Sequence, residues 1–177
     1  MTPRPATEQL VERALARLGP GPARIADVGS GSGAVAVALA LRAPFAEVWA
    51  TDRSQAAVEL AQANVSRFGL GGRVHVVEGD LLDPAPGQLD LVVANLPYLP
   101  ESLRLASVSA DVQFEPPAAV FAPGDGLGPY RRLLDASKER LSEQGAVVIQ
   151  YRRRILEATR FELDDLLAEL EEHALAA

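Results

Sequence analysis

The segment Asn95-Leu96-Pro97-Tyr98 carries groups suited to holding a reacting nitrogen, and it follows an apolar run that predicts a buried strand. A nitrogen that attacks an electrophilic carbon must be oriented, and its hydrogens need acceptors in line. The Asn95 side-chain oxygen can accept one N–H, and the Leu96 backbone carbonyl can accept another. Pro97 stiffens the turn, and Tyr98 can stack on a planar group. The structural alternative is a plain proline turn that closes a strand.

A glycine-rich segment follows another predicted strand and consists of Asp27, Val28, Gly29, Ser30, Gly31, Ser32 and Gly33. Glycines permit a tight turn and let the backbone approach a ligand, towards which the N–H groups of the next helix point. A bare turn between strand and helix explains the glycines too, and Gly29, Gly31 and Ala34 also fit a dinucleotide fingerprint. Asp27 favours a ligand with a cationic amino-acid moiety over a pyrophosphate.

Two further predicted strands end in acidic residues. Asp52 stands about 20 residues beyond the glycines, where a carboxylate can accept the ribose hydroxyls of a nicotinamide or an S-adenosylmethionine cofactor. It could instead be an acid at the start of the helix that Ser54 caps. The next strand ends in Glu78-Gly79-Asp80-Leu81, which we expect to flank an adenine ring, with Asp80 near the exocyclic amine and Leu81 against the ring face.

Strands and helices alternate along the chain, which predicts a Rossmann-like α/β fold with a doubly wound, mainly parallel sheet. Ligands of such sheets bind at the carboxyl ends of the strands, where all the motifs above stand. We expect strands at 24–28, 47–51, 73–77, 89–94 and 146–150, and helices at 6–18, 33–41, 54–68 and 126–141. No strand is expected after Gln150, so the sheet should lack a final antiparallel hairpin. The prediction is one domain over 1–177, with an N-terminal helix at 1–20, a core at 21–151 and a C-terminal helix at 152–177.

The amino-acid composition argues against several classes of function. The 177 residues are 48% hydrophobic and 23% charged, which is typical of a globular domain. With no cysteine and only two histidines, a disulfide framework is excluded and a metal site is not expected. The net charge of −7 disfavours unaided binding to a nucleic-acid backbone. No apolar run is long enough to span a bilayer and no signal peptide is evident, so a cytoplasmic protein is expected.

The chain resembles the HemK-like glutamine methyltransferases that modify peptide chain release factors, over residues 3 to 150. Besides the motifs above, the resemblance is carried by Pro3-Arg4-Pro5-Ala6-Thr7-Glu8, Gly79-Asp80-Leu81, Glu115-Pro116, Gly124-Asp125-Gly126-Leu127 and Tyr130-Arg131. It implies transfer of a methyl group from S-adenosyl-L-methionine to the glutamine amide of a Gly-Gly-Gln motif in a release factor. It also implies catalytic roles for Asn95, Leu96, Pro97 and Tyr98, and cofactor contacts from Asp27, Gly29, Ser30, Gly31, Ser32, Gly33, Asp52, Asp80, Leu81 and Asn95.

Three features differ from the family's usual pattern. Leu96 replaces a proline, and we expect only the catalytic domain, without the helical domain that precedes it in family members. We also expect the sheet to lack the antiparallel hairpin with which the family's sheet ends. Asn-Leu-Pro-Tyr also resembles the motif of rRNA adenine dimethylases, so an RNA or DNA base N-methyltransferase is a second hypothesis. A cofactor-binding domain without activity is a third, and a nicotinamide oxidoreductase is a fourth. A protein substrate is expected, no membrane partner is, and the oligomeric state is left open.

Overall fold

The computed structural model describes residues 5–103, 116–152 and 154–175, which alternate between strands and helices. The helices are α1 (Pro5–Ala16), α2 (Ala34–Arg42), α3 (Gln55–Arg67), α4 (Gly128–Arg140) and α5 (Leu163–Leu175). The strands are β1 (Ala23–Val28), β2 (Ala46–Asp52), β3 (Val74–Glu78), β4 (Leu89–Ala94), β5 (Leu99–Pro100), β6 (Phe121–Ala122), β7 (Leu141–Tyr151) and β8 (Arg154–Thr159). Pro3, Arg4 and Glu115, which belong to the predicted motifs, lie outside the described residues.

Six strands form one sheet in the order β3-β2-β1-β4-β7-β8. The first five are parallel, and only the β7–β8 pair is antiparallel. The predicted Rossmann-like, doubly wound architecture is therefore confirmed. Because β1 has β2 on one side and β4 on the other, the strand order reverses there, and a crevice for a ligand is expected at the carboxyl ends of these strands.

Alternate residues of each strand face opposite layers of helices. On one face, Ile25, Val48, Leu91 and Val148 pack with residues of α1, α2 and α3 in one hydrophobic cluster. On the other face, β-strand residues of the opposite parity pack against α4 and α5 in a second cluster. Both faces are buried, which explains why the strands read as continuous apolar runs. In the described part of the chain, no helix combines the length and apolar content needed to cross a bilayer.

The expectation that no strand follows Gln150 is wrong. Strand β8 pairs antiparallel with β7, with Ile155 opposite Gln150 and Thr159 opposite Ala146, so the sheet does end in a hairpin. Only Leu156 and Ala158 of β8 are buried, while the other four residues of the strand are half-exposed or exposed, so its apolar signal is weak. The helix predicted over 152–177 begins only at Leu163, after β8 and a short 3₁₀ turn.

Arg73, in the turn just before β3, stabilises the connection between α2 and β2. Its guanidinium donates to the carbonyls of Ala40 at 2.8 Å, Ala46 at 3.1 Å and Ala43 at 3.3 Å. These carbonyls lie at or just beyond the end of α2, where backbone acceptors lack partners within the helix. One arginine therefore satisfies several of them and fixes where β2 enters the sheet.

Replacing Arg73 with Met should lower the free energy of unfolding by about 1–3 kcal/mol, because the carbonyls lose a charged donor. The melting temperature should fall by about 2–4 °C for each kcal/mol lost. Arg67→Met, at an exposed arginine of α3, is the matched control and should leave the melting curve nearly unchanged. Equal melting temperatures for Arg73→Met and the wild type would show that these hydrogen bonds do not stabilise the fold.

Candidate functional site

Residues 29–33, which we call the glycine loop, follow β1 and adopt backbone conformations that favour glycine. Gly29, Gly31 and Gly33 have φ angles of 71°, 54° and 74°, in the left-handed region that side chains rarely adopt. The N–H groups of Gly29 and Ser30 donate to one carbonyl at the end of β2, at 2.8 and 3.0 Å. The Ser30 hydroxyl oxygen is buried and has no hydrogen-bond partner among the described residues. The loop therefore keeps a free polar group for a ligand.

Asp27 lies beneath this loop and is only 3% exposed. Its carboxylate accepts a hydrogen bond of 3.0 Å from the backbone N–H of Ala36 in α2. Burial raises the pKa of Asp27 to about 7; the Ala36 N–H opposes the shift, and the charge of Asp52 adds to it. A buried carboxylate with so little compensation would be stabilised by a cation, as predicted for the amino group of the cofactor.

Asp52 ends β2 and links two loops. Its carboxylate accepts the N–H of Gly31 at 2.9 Å through one oxygen and the N–H of Ser54 at 2.9 Å through the other. An ionised carboxylate has about four acceptor positions, so lone pairs remain for two ribose hydroxyls. The alternative role at the helix start is present in part, because Asp52 accepts the N–H of Ser54, the residue that caps α3. The two roles are compatible.

Thr51, which the sequence analysis did not single out, joins the loops behind the site. Its carbonyl accepts the N–H groups of Gly29 and Ser30, and its hydroxyl donates to the carbonyl of Leu81 at 2.7 Å. It is 1% exposed, so this hydroxyl needs a partner inside the protein. The sequence signal that could have identified Thr51 is its hydroxyl at the end of an apolar strand, next to the predicted site residue Asp52.

The loop after β3 differs from the simple adenine-binding prediction. Asp80 forms an ion pair with Arg132 of α4, and its other carboxylate oxygen lies 3.9 Å from Nε of Arg53. That second oxygen is buried and accepts no hydrogen bond from the described residues, so it remains available to an exocyclic amine. Leu81 has a left-handed backbone with φ of 47° and packs against the second hydrophobic cluster. The adenine contacts of both residues remain a prediction.

Asn95 and Leu96 leave the end of β4 in different environments. Asn95 is exposed, whereas Leu96 is 6% exposed. A Cβ added to Gly29 would lie 2.8 Å from Cδ2 of Leu96, so this leucine packs on the glycine loop. The Leu96 carbonyl lies 3.0 Å from the hydroxyl of Tyr130, and only its second lone pair is left for a substrate. Asn95 is therefore the more accessible acceptor of the two.

Tyr98 is supported from two directions. Its ring lies 5.4 Å from the ring of Tyr151 at an interplanar angle of 63°. Gly126 approaches it so closely that an added Cβ would collide with the Tyr98 carbonyl oxygen. The turn around Gly126 is held by Asp125, which accepts the N–H of Leu127 at 3.0 Å and pairs with Arg131. The Gly-Asp-Gly-Leu motif thus buttresses the segment that carries Asn95.

The register of the sheet brings the predicted site residues to one edge. Val28 is level with Thr51 on β2 and with Ala94 on β4, so the glycine loop lies between Asp52 and Asn95. By strand parity, Asp27, Asp52 and Asn95 continue the same face as Ile25, Val48 and Leu91. That face carries α1, α2 and α3.

Other features lie away from this edge. His75 stacks on Trp49, with ring centroids 5.1 Å apart, and both residues lie within strands. A surface depression of about 520 Å³ lies at the opposite, amino-terminal end of the sheet, beside Leu18, Ala23 and Phe45, and includes none of the predicted site residues. The described residues contain no cluster of acidic or histidine side chains that could hold a metal ion.

Replacing Asp27 with Asn should change how the stability of the ligand-free protein depends on pH. With the carboxyl pKa raised to about 7, the folded protein holds a proton that the unfolded chain releases near pH 4, so stability should fall from about pH 4 to 7. Asp27→Asn should remove that fall and gain up to about 4 kcal/mol at pH 8. Urea unfolding at pH 5 and pH 8 measures the difference.

Asp83→Asn, at an exposed aspartate in the loop after β3, is the control and should reproduce the wild-type dependence on pH. If Asp27→Asn and the wild type lost the same stability between pH 5 and pH 8, Asp27 would not be the buried carboxyl responsible.

Comparison with known proteins agrees with this geometry. The model of the methyltransferase small domain family matches residues 5–110. The release factor glutamine methyltransferase of Moorella thermoacetica is 43% identical over 152 residues, which are 85% of this chain and 53% of that protein. The protein of the same name from Escherichia coli is 37% identical over 161 residues, 90% of this chain and 57% of that protein. The chain spans little more than half the length of these relatives.

Solved structures share the fold at low sequence identity. The precorrin-6y C5,15-methyltransferase of Geobacter metallireducens superposes with a TM-score of 0.61 at 18% identity, covering 98% of this chain and 72% of that one. A methyltransferase from Thiobacillus denitrificans in complex with S-adenosyl-L-homocysteine gives 0.50 at 21% identity, covering 80% of this chain and 47% of that one. These structures support the fold. Because the family model matches residues 5–110, more than half of the sequence, the chain belongs to the methyltransferase small domain family.

Proposed function

We propose that this chain binds S-adenosylmethionine at the carboxyl edge of the sheet and transfers its methyl group to the glutamine amide of a peptide chain release factor. The observation that carries the proposal is the contact between Leu96 and Gly29, which places the exposed Asn95 directly beside the glycine loop. On this proposal, the site for the methyl donor and the site for the acceptor nitrogen would be adjacent. Curated relatives at 37–43% identity carry the name release factor glutamine methyltransferase.

The residues present fit the cofactor. Asp52 has free acceptor positions for the ribose hydroxyls, and one oxygen of Asp80 has none of its hydrogen bonds filled. The buried carboxylate of Asp27 suits the positive amino group, because a cation lowers the cost of keeping it ionised. When bound, S-adenosylmethionine supplies a methyl group activated by a positively charged sulfur.

The acceptor side works by orientation, since an amide nitrogen is a poor nucleophile whose lone pair is delocalised into its carbonyl. Asn95 accepts one N–H of the substrate amide through its side-chain oxygen, and the free lone pair of the Leu96 carbonyl accepts the other. Both contacts turn the nitrogen towards the methyl group. The half-exposed ring of Tyr98 offers a flat surface for the amide plane. Transfer yields the N-methylamide, S-adenosylhomocysteine and one proton.

A nucleic-acid base is the second candidate acceptor, because Asn95 and its neighbours would accept hydrogen bonds from an exocyclic amine in the same way. The net charge of −7 opposes binding of a phosphate backbone, so we favour the protein substrate. A release factor as substrate would also place the protein in the cytoplasm.

The test is transfer of tritium from labelled S-adenosylmethionine to a release factor with an intact Gly-Gly-Gln motif, to the same factor with that glutamine replaced, and to ribosomal RNA. We expect label only on the first. Label on the RNA would support the second candidate instead. Binding of S-adenosylhomocysteine in a titration, without transfer to any acceptor, would indicate a cofactor-binding domain without activity.

Two variants should separate the halves of the site. Asp52→Ala should weaken binding of S-adenosylhomocysteine by about 1–3 kcal/mol, because charge-assisted hydrogen bonds to the ribose are lost. Asn95→Ala should reduce the rate of transfer by about 100-fold and change that affinity far less, because the main role of this side chain is to orient the acceptor. Gln62→Ala, at an exposed amide on α3, is the control. A fully active Asn95→Ala protein would rule out the role of Asn95.

A further inference from the structure

One buried hydroxyl joins residues 95–98, which we call the acceptor segment, to the neighbouring strand β7. The Tyr130 hydroxyl lies 3.0 Å from the carbonyl oxygen of Leu96 and 2.6 Å from that of Gln150, and the residue is fully buried. The parallel ladder between β4 and β7 has its last register pair at Ala94 and Ile149. The two carbonyls therefore belong to the residues just past the point where the strands stop pairing.

The hydroxyl supplies the donor that the ladder no longer provides there. A tyrosine hydroxyl has one hydrogen, which the two carbonyl oxygens share in a three-centre hydrogen bond. Burial raises the pKa of Tyr130 far above its ordinary value, so the group stays protonated at every working pH. Without it, both carbonyls would be left in a buried environment with a donor missing.

We infer that Tyr130 is a positioning residue for methyl transfer, because its hydroxyl fixes the Leu96 carbonyl and thereby sets the direction in which the adjacent Asn95 side chain points. This inference rests on the proposed function. Leu96 is held at two places, by its carbonyl on Tyr130 and by its side chain on Gly29. The peptide that links it to Asn95 is therefore fixed relative to both the sheet and the glycine loop.

A second buried tyrosine, which packs against Tyr130, provides a matched control. Tyr151 is 1% exposed, and its ring centroid lies 5.7 Å from that of Tyr130 at an interplanar angle of 86°. Its buried hydroxyl has no hydrogen-bond partner among the described residues. A change from tyrosine to phenylalanine removes one oxygen atom at either position, and only at Tyr130 does it remove a hydrogen bond to the acceptor segment.

The experiment compares Tyr130→Phe with Tyr151→Phe in steady-state transfer to the release factor and in titration with S-adenosylhomocysteine. For Tyr130→Phe we expect kcat to fall by about 10- to 100-fold, because a small misplacement of the acceptor is costly, with affinity for S-adenosylhomocysteine unchanged within about twofold. Tyr151→Phe keeps the ring that packs against Tyr98, so for this variant we expect both quantities to stay within about twofold of the wild type.

Wild-type kcat in Tyr130→Phe would overturn the inference. So would equal losses of kcat in both variants, or a loss of cofactor affinity in Tyr130→Phe as large as its loss of kcat, since these outcomes indicate a general packing role. If the wild type methylates no acceptor, the proposed function fails and hydrogen exchange decides the positioning role separately. Faster amide exchange in Tyr130→Phe alone, confined to the residues next to Leu96 and Gln150, would support it. Exchange that is unchanged or raised throughout the sheet would overturn it.

Discussion

The site depends on a single constraint, namely that the backbone N–H groups of the glycine loop must find acceptors although the loop forms no regular secondary structure. The end of β2 supplies them. The carbonyl of Thr51 takes two of these N–H groups, and the carboxylate of Asp52 takes a third from Gly31. The Thr51 hydroxyl extends the same junction to the loop after β3 through the carbonyl of Leu81. Three loops are thus held by two adjacent residues, and a cofactor site can be rigid without a helix or strand of its own.

The alternation of side chains along the strands places the polar side chains of the site. Side chains alternate between the two faces of a sheet, and the register of the strands decides which residues share a face. Asp27 and Asp52 therefore lie on the same face of the sheet, and no direct contact between them is required for this. Asn95 follows from the same rule at the end of β4. The chain reaches all three positions with buried apolar strands, whose two hydrophobic clusters fix the register. Stability of the core and geometry of the site therefore have one origin.

The sequence predicted the elements whose signals are local and missed those that depend on distant partners. Apolar runs identified β1 to β4, and the glycines identified the loop whose positive φ angles the structure shows. Strand β8 was missed because Leu156 and Ala158 are its only buried residues. The links of Thr51 to Leu81 and of Tyr130 to Leu96 span 30 and 34 positions in the chain. No periodicity encodes such pairs, so only the folded structure could show that the acceptor segment is tied to β7.

The packing of Leu96 on Gly29 also bears on how such a domain can change during evolution. The leucine side chain lies in the space that a Cβ at position 29 would need, so a larger residue at position 29 requires the Leu96 side chain to shift. Under the proposed function, a lineage that adopts a new acceptor through changes around Leu96 would also alter the loop that binds the donor. Substrate choice and donor affinity would then diversify together, as paired changes at two places that are far apart in the gene.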